Sequence, residues 1–219
     1  MKKNNLTAYL LNIVGEILLV VIGILIAVQI DHQIEAGKER EREDFLKSEI
    51  NREMKLNLER FELSQKSIQG VVDAGLELVK IFPLSASKLQ SDKFNIFPDF
   101  LLNPSYDPSN GVINSIINSG EINLIQDEEL RQLIVTWNDA YNDYKEEEFM
   151  AWSNGYKLME WLSENFPNPR YVKPEYGAID YRILQSKIGK KVDMYTFTVE
   201  GEDCLKLKSH IERMIELTE

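Results

Sequence analysis

The stretch Tyr9-Leu10-Leu11-Asn12-Ile13-Val14-Gly15-Glu16-Ile17-Leu18-Leu19-Val20-Val21-Ile22-Gly23-Ile24-Leu25-Ile26-Ala27-Val28-Gln29-Ile30 decides how the chain is read. No other segment is apolar enough to leave water. A helix that crosses a bilayer core needs about 20 predominantly apolar residues. Ile17 to Ile30, broken only by Gln29, is too short alone. Adding Tyr9–Val14 supplies the length and places Asn12 and Glu16 inside the span. A carboxylate deep in the bilayer costs about 2.5–3.5 kcal/mol on insertion scales. Glu16 is therefore expected to be protonated, paired or turned toward another helix. Glu16, Val20, Gly23 and Ala27 are spaced four, three and four apart and share one helix face. Gly23 and Ala27 form a small-xxx-small pair that lets two backbones approach closely. Two readings stay open: a stripe that contacts another membrane helix, with Glu16 hydrogen-bonded in the contact, or a plain anchor whose Glu16 reaches toward the near interface.

Lys2 and Lys3 followed by Ile17–Val28 also fit the opening of a secretory signal. No small-residue cleavage site follows, and charge begins at Asp31, so an uncleaved signal anchor is expected. Lys2, Lys3 and the amino terminus favour a cytoplasmic N-terminus. A bare count of Lys38, Arg40, Arg42 and Lys47 favours the reverse, but these are mixed with acids and begin beyond the membrane edge. The expected location is the inner membrane, crossed once, with the bulk of the chain periplasmic.

The block Gly15-Glu16-Ile17-x-Leu19-x-x-Ile22-Gly23-Ile24-x-Ile26-Ala27-x-Gln29-Ile30, followed by a charged helix, resembles a domain-of-unknown-function family of membrane-anchored proteins from bacteria with an outer membrane. Asn110-Gly111, then Ser119 to Ile125 and Leu130-Arg131, is similar to a second signature of that family. Relatives carry a longer basic tail before the span, where this chain has only Lys2 and Lys3. The resemblance implies a membrane-anchored helical protein. It implies no activity and no catalytic residues.

A chain of 219 residues with one span leaves enough for a single soluble domain with a proper core. The net charge of −11 argues against nucleic acid and, apart from the short mixed stretch after the anchor, against a surface that hugs anionic lipid. Cys204 is the only cysteine, so no intrachain disulfide can form. A buried structural thiol is the expected role, with an intermolecular Cys204 pair as the alternative.

From Asp31 to Phe61 the chain is dense in Glu, Lys and Arg. Pairs such as Glu43–Lys47 and Glu49–Arg52 each add about 0.2–0.5 kcal/mol to a helix, and nothing between Ile30 and Ile81 breaks one. Met54, Leu58, Phe61, Ile68, Val72 and Val79 form an apolar seam of bundle or coiled-coil rhythm, with Gln65 and Gly75 in its gaps. Later helices of the same chain, or a second copy, can fill it. Pro83 ends this helix. The tract 84–108 is loop-rich, yet Phe94, Ile96, Phe97, Phe100, Leu101 and Leu102 make it too apolar for a free linker. It is expected to pack back on the bundle, with a partner-facing aromatic surface as the alternative. Ser109 or Asn110 caps a short helix closed by Gly120. Asp127 caps a long helix that Pro167 ends, with Trp137, Tyr141, Tyr144, Trp152, Tyr156 and Trp161 along it. Core packing explains most of these aromatics; a ligand pocket or partner surface at Trp137, Tyr141, Tyr144 and Trp152 is the alternative. Glu146–Glu148 reads as a solvated acidic face, Arg170–Pro174 as a connector and Ala178–Ile188 as a short helix. Val192–Val199 alternates and reads as extended. A last helix, Glu202 to about Leu217, carries the seam Cys204, Leu207, Ile211 and Met214.

The two histidines, His32 and His210, have no metal-ligand spacing, and no phosphate loop or nucleophile elbow is present. No metal and no cofactor is expected. His210 is the best candidate should a non-sequential hydrolytic site exist. The expected fold is all-α: one N-terminal transmembrane helix continuing into a long helix packed in an antiparallel helical bundle. Residues 1–30 form the anchor, 31–82 the juxtamembrane long helix and 83–219 the helical remainder of the same soluble domain. The expected function is a non-enzymatic, membrane-anchored interaction or scaffold subunit of a cell-envelope complex. It would bind itself or another membrane protein through Glu16, Val20, Gly23 and Ala27. The alternative is a ligand-sensing helical ectodomain that signals through a partner.

Overall fold

The computed structural model describes residues 4–89, 91–165 and 180–219. All regular structure in them is helical. Helix α1 (Asn4–Lys80) runs unbroken for 77 residues, about 115 Å at 1.5 Å per residue. It stops before the cis Phe82–Pro83 peptide. The chain then turns back through α2 (Ala86–Leu89), a 3-10 turn at Asp92–Ile96, α3 (Phe97–Phe100), an extended run, α4 (Gly111–Ser119) and a second 3-10 turn at Glu121–Leu124. Helix α5 (Glu128–Asn165) rises alongside, and α6 (Tyr181–Glu200) and α7 (Glu202–Glu216) descend, separated only by Gly201. Pro167, Phe166, the Arg170–Pro174 connector and the Ala178 start of the next helix lie outside the described residues.

The result is a four-legged up–down–up–down bundle whose second leg is irregular. Contacts fix its direction. Leu84 donates its amide to Gln185 Oε1 at the far end, while Gln126 donates to Glu43 Oε1 at the near end. The α6–α7 leg is antiparallel to α1 and α5 and packs on both. Helices α1 and α5 stand diagonally across the core and meet through side chains such as Phe61 and Tyr144, ring centroids 5.5 Å apart.

Two buried clusters run along the bundle. The far one joins Ile68, Val72 and Leu78 of α1 with Phe97, Phe100, Leu158, Leu162 and Ile188. The near one joins Ile50, Met54 and Phe61 with Ile113, Ile134, Trp137, Leu207 and Ile211. Burying each such side chain stabilises by about 1.5–3 kcal/mol. The α1 seam is thus filled by the chain's own later legs, with Leu58 and Val79 only partly covered. Gly75 sits where a Cβ would collide with Val192 and Phe100, so it permits the close meeting of α1, α3 and α6.

An irregular leg cannot satisfy its own backbone, and buried N–H and C=O groups must find partners. Long-helix side chains supply them. Glu53 accepts from the amides of Val112 (3.0 Å) and Ile113 (3.1 Å) and from the Ser109 hydroxyl (2.9 Å). Asn57 pairs with both backbone groups of Ser109. Lys191, fully buried on α6, donates to the carbonyls of Phe100 (2.7 Å) and Leu102 (2.8 Å) and to Asn103 Oδ1 (3.0 Å). Burial pushes this ammonium down to about 7. Three acceptors nonetheless call for its three N–H groups.

Three expectations are corrected. Asn110 occupies the N-cap position of α4, but its side chain makes no cap bond there; Glu53 reaches from α1 to do so, and Asn110 Oδ1 accepts from Trp137 Nε1 at 2.8 Å. Val192–Val199 is helical, not extended. With no strand to pair among the described residues, the run continues the helix that Asp180 caps; Val192, Tyr195 and Thr198 face the core, and the hydroxyls of Thr196 and Thr198 bond carbonyls one turn back. Glu146–Glu148 is not wholly solvated, because Glu148 falls on the core side of α5 and is 2 % exposed. The expected caps at Gly120 (φ 76°) and Asp127, which accepts from the Leu130 amide at 2.9 Å, are present.

Candidate functional site

Glu16, Val20, Gly23 and Ala27 lie on one face of α1, and all four are exposed. The apolar window around them touches no other part of the chain. Ile13, Glu16, Ile17, Val20 and Val21 line a shallow groove along the helix. A Cβ added at Gly23 would meet nothing, so the glycine serves no packing within this chain. Among the described residues, no group pairs with Glu16. By length and composition this helix is able to cross a membrane, and it is the sole one among the described residues that is.

Beyond Ile30 the helix does not join the bundle at once. Asp31 to Glu41 have no packing partner, apart from partial cover at Ala36. The bundle begins where Arg42 meets Glu121 at 2.6 Å and Glu43 accepts from Gln126. A single-helix stalk of about 17 Å therefore carries the domain. No break in helical structure separates the apolar segment from the bundle.

The α5 aromatics separate into two sets. Trp137 and Tyr144 are fully buried and Tyr141 half-buried. Trp137 stands edge-on to His210, and Tyr144 accepts from Gln65 Nε2 at 2.9 Å. Around them Glu148 accepts from the Tyr106 amide (2.5 Å) and from Lys145 Nζ (2.7 Å). Burial and the nearby Glu148 push the Tyr144 phenol well above its ordinary range. Lys145 opposes its own partial burial through Glu148, which leaves it raised. These residues fill the core. Trp152 points outward, 40 % exposed, and stacks between Phe149 (6.2 Å) and Tyr156 (5.6 Å) in a surface ladder. The four aromatics expected together do not form one site.

An open groove between α5 and α7 is lined by Asp139, Asp143, Asp203, Lys206 and His210. Its one imidazole is committed: His210 Nε2 lies 2.8 Å from the Leu133 carbonyl, and burial holds its pKa below the ordinary value. Glu147 nearby is raised by burial and by Asp203. Among the described residues, no three side chains converge to hold a metal ion. Burial raises the Cys204 thiol to about 11, away from the reactive range.

Reading the sequence missed Glu53, Glu148 and Lys191 as core-facing groups. Their one signal was a charge standing at a seam position of an amphipathic helix. In comparisons with protein-family models, curated proteins and solved structures, none matches this chain.

Proposed function

We propose that this chain is a non-enzymatic, membrane-anchored interaction or scaffold subunit of a cell-envelope complex. Its N-terminus lies in the cytoplasm and its bundle in the periplasm. The observation that carries the proposal is the Glu16–Val20–Gly23–Ala27 face, exposed on a helix that runs unbroken into a folded domain. A glycine and an alanine with no packing task inside the chain suit close approach by another helix. A carboxyl at that depth gains most by hydrogen bonding across such a contact. The resemblance of Gly15–Ile30 to membrane-anchored bacterial proteins supports the same reading. The outward Phe149–Trp152–Tyr156 ladder adds an ectodomain surface for a partner, and the filled core around Trp137 and Tyr144 favours this reading over ligand sensing.

The test is the mass and composition of the native complex, extracted in mild detergent with a tag after Glu219. A stable assembly that Glu16→Leu with Gly23→Leu disperses is expected. A monodisperse monomer from the unaltered chain would refute the proposal.

A further inference from the structure

The membrane face does not end at the membrane. Eighteen residues make five turns of an α-helix, so residues eighteen apart lie in line. Ala27, Phe45 and Leu63 form one such line, Val20, Lys38 and Leu56 a second, and Glu16, Ile34 and Arg52 a third. The three lines fall within about 40° of one another at 100° per residue. Together they make one stripe along α1 that runs from inside the span, along the stalk and up the outside of the bundle.

On the bundle this stripe faces away from the core. Glu53 and Asn57, which hold the second leg, lie to one side of it, and Asn51 and Lys55, which meet the end of the α7 leg, lie to the other. Apolar side chains along it stay exposed: Phe45 is 50 % exposed with the Arg42 guanidinium 5.0 Å over its ring, Leu56 41 % and Leu63 59 %. Lipid does not reach them, because Phe45 stands about 22 Å beyond Ile30 along the helix.

We infer that a second copy of this chain covers the stripe, parallel and in register, to make a two-fold dimer along α1 from Glu16 to Leu63. The inference rests on the proposed membrane contact and extends it. Three observations select this occupant. A partner that follows the stripe from Gly23 past Phe45 to Leu63 must run nearly parallel to α1 at a small crossing angle, which calls for another long helix rising from the bilayer. A second copy is such a helix, with the same phase on both sides of the interface. The cations on the stripe, Lys38 and Arg52, approach their own copies across the two-fold, and Glu41 and Glu49 of the other copy stand one turn away to offset them; Arg52 and Glu49 are already joined at 2.8 Å within the chain. The stalk, alone in the monomer, gains a partner along its whole length.

Single-cysteine cross-linking in native membrane vesicles tests this with the full chain. Buried Cys204 stays in place as an internal control. Phe45→Cys and Leu63→Cys, at surface positions, are expected to convert most of the chain to a disulfide dimer under mild oxidation. Leu76→Cys, exposed off the stripe, is expected to give none. Cross-linking at Ala27→Cys without Phe45→Cys or Leu63→Cys would overturn the inference and leave the membrane contact standing. Equal cross-linking at Leu76→Cys would overturn it as random collision. A different protein captured at a fixed ratio, with no self-linked dimer, would overturn it while sparing the scaffold reading.

Discussion

Glu53 on the first helix caps the first turn of α4 through the amide of Ile113, with Oε2 3.1 Å from the nitrogen. A cap supplied by a distant helix ties the foot of the irregular leg to α1. Replacing Glu53 by Ala leaves two amides and a hydroxyl unpaired in a largely dry site. We expect a loss of about 3 kcal/mol. Urea unfolding of the detergent-solubilised chain measures it, and faster hydrogen exchange at Val112 and Ile113 assigns the cause.

Lys191 performs the same task at the other end of that leg. Lys191→Met keeps the aliphatic packing and strands the carbonyls of Phe100 and Leu102. Loss of about 2–3 kcal/mol is expected, since buried acceptors left unpaired cost their desolvation. Limited proteolysis should then find new cleavage between Leu101 and Ser105. An unchanged digest would show that the lysine does not hold the segment.

His210 links stability to pH. Burial lowers its folded pKa, opposed in part by the Leu133 carbonyl. The unfolded imidazole, with a pKa of about 6.5, therefore takes up its proton first as pH falls. The contribution is fully present above that value and is lost as pH drops through about 6.5 toward the depressed folded value. His210→Gln should flatten this segment of the stability curve in denaturation midpoints taken at about pH 7.5 and 5.5.

Trp137 and Trp152 sit on the same helix with opposite roles. Trp137→Ala empties a fully buried site and breaks the bond to Asn110, for a loss of about 3–5 kcal/mol. Trp152→Ala interrupts a surface ladder and should cost about 1 kcal/mol or less. Thermal unfolding distinguishes them. If Trp152 serves a partner, its replacement weakens co-purification and leaves the midpoint nearly unmoved.

Gly23 touches nothing else in the chain, so Gly23→Leu should leave bundle unfolding of the dissociated chain, measured at high dilution in detergent, unchanged. Any loss of assembly in detergent would then report a contact made through the apolar helix. A shift in the unfolding midpoint as large as that of a core variant would contradict the isolation of the apolar segment.

Sequence alone determined the apolar helix from Tyr9 to Ile30, the all-α class, the core seam of the last helix at Cys204, Leu207, Ile211 and Met214, and the ends marked by Pro83, Gly120 and Asp127. These follow from local causes: period, backbone constraint and capping chemistry act within a few residues. Only the tertiary structure decided that Val192–Val199 is helical, that Glu53 and Lys191 face inward, and that Trp137 is covered while Trp152 is not. A periodic pattern defines a face, but which arc of it is covered depends on where the neighbouring legs stand. The second leg is irregular and leaves backbone groups that only side chains from the other legs can satisfy. That demand draws charged residues to seam positions, where a reading by hydrophobicity places only apolar ones.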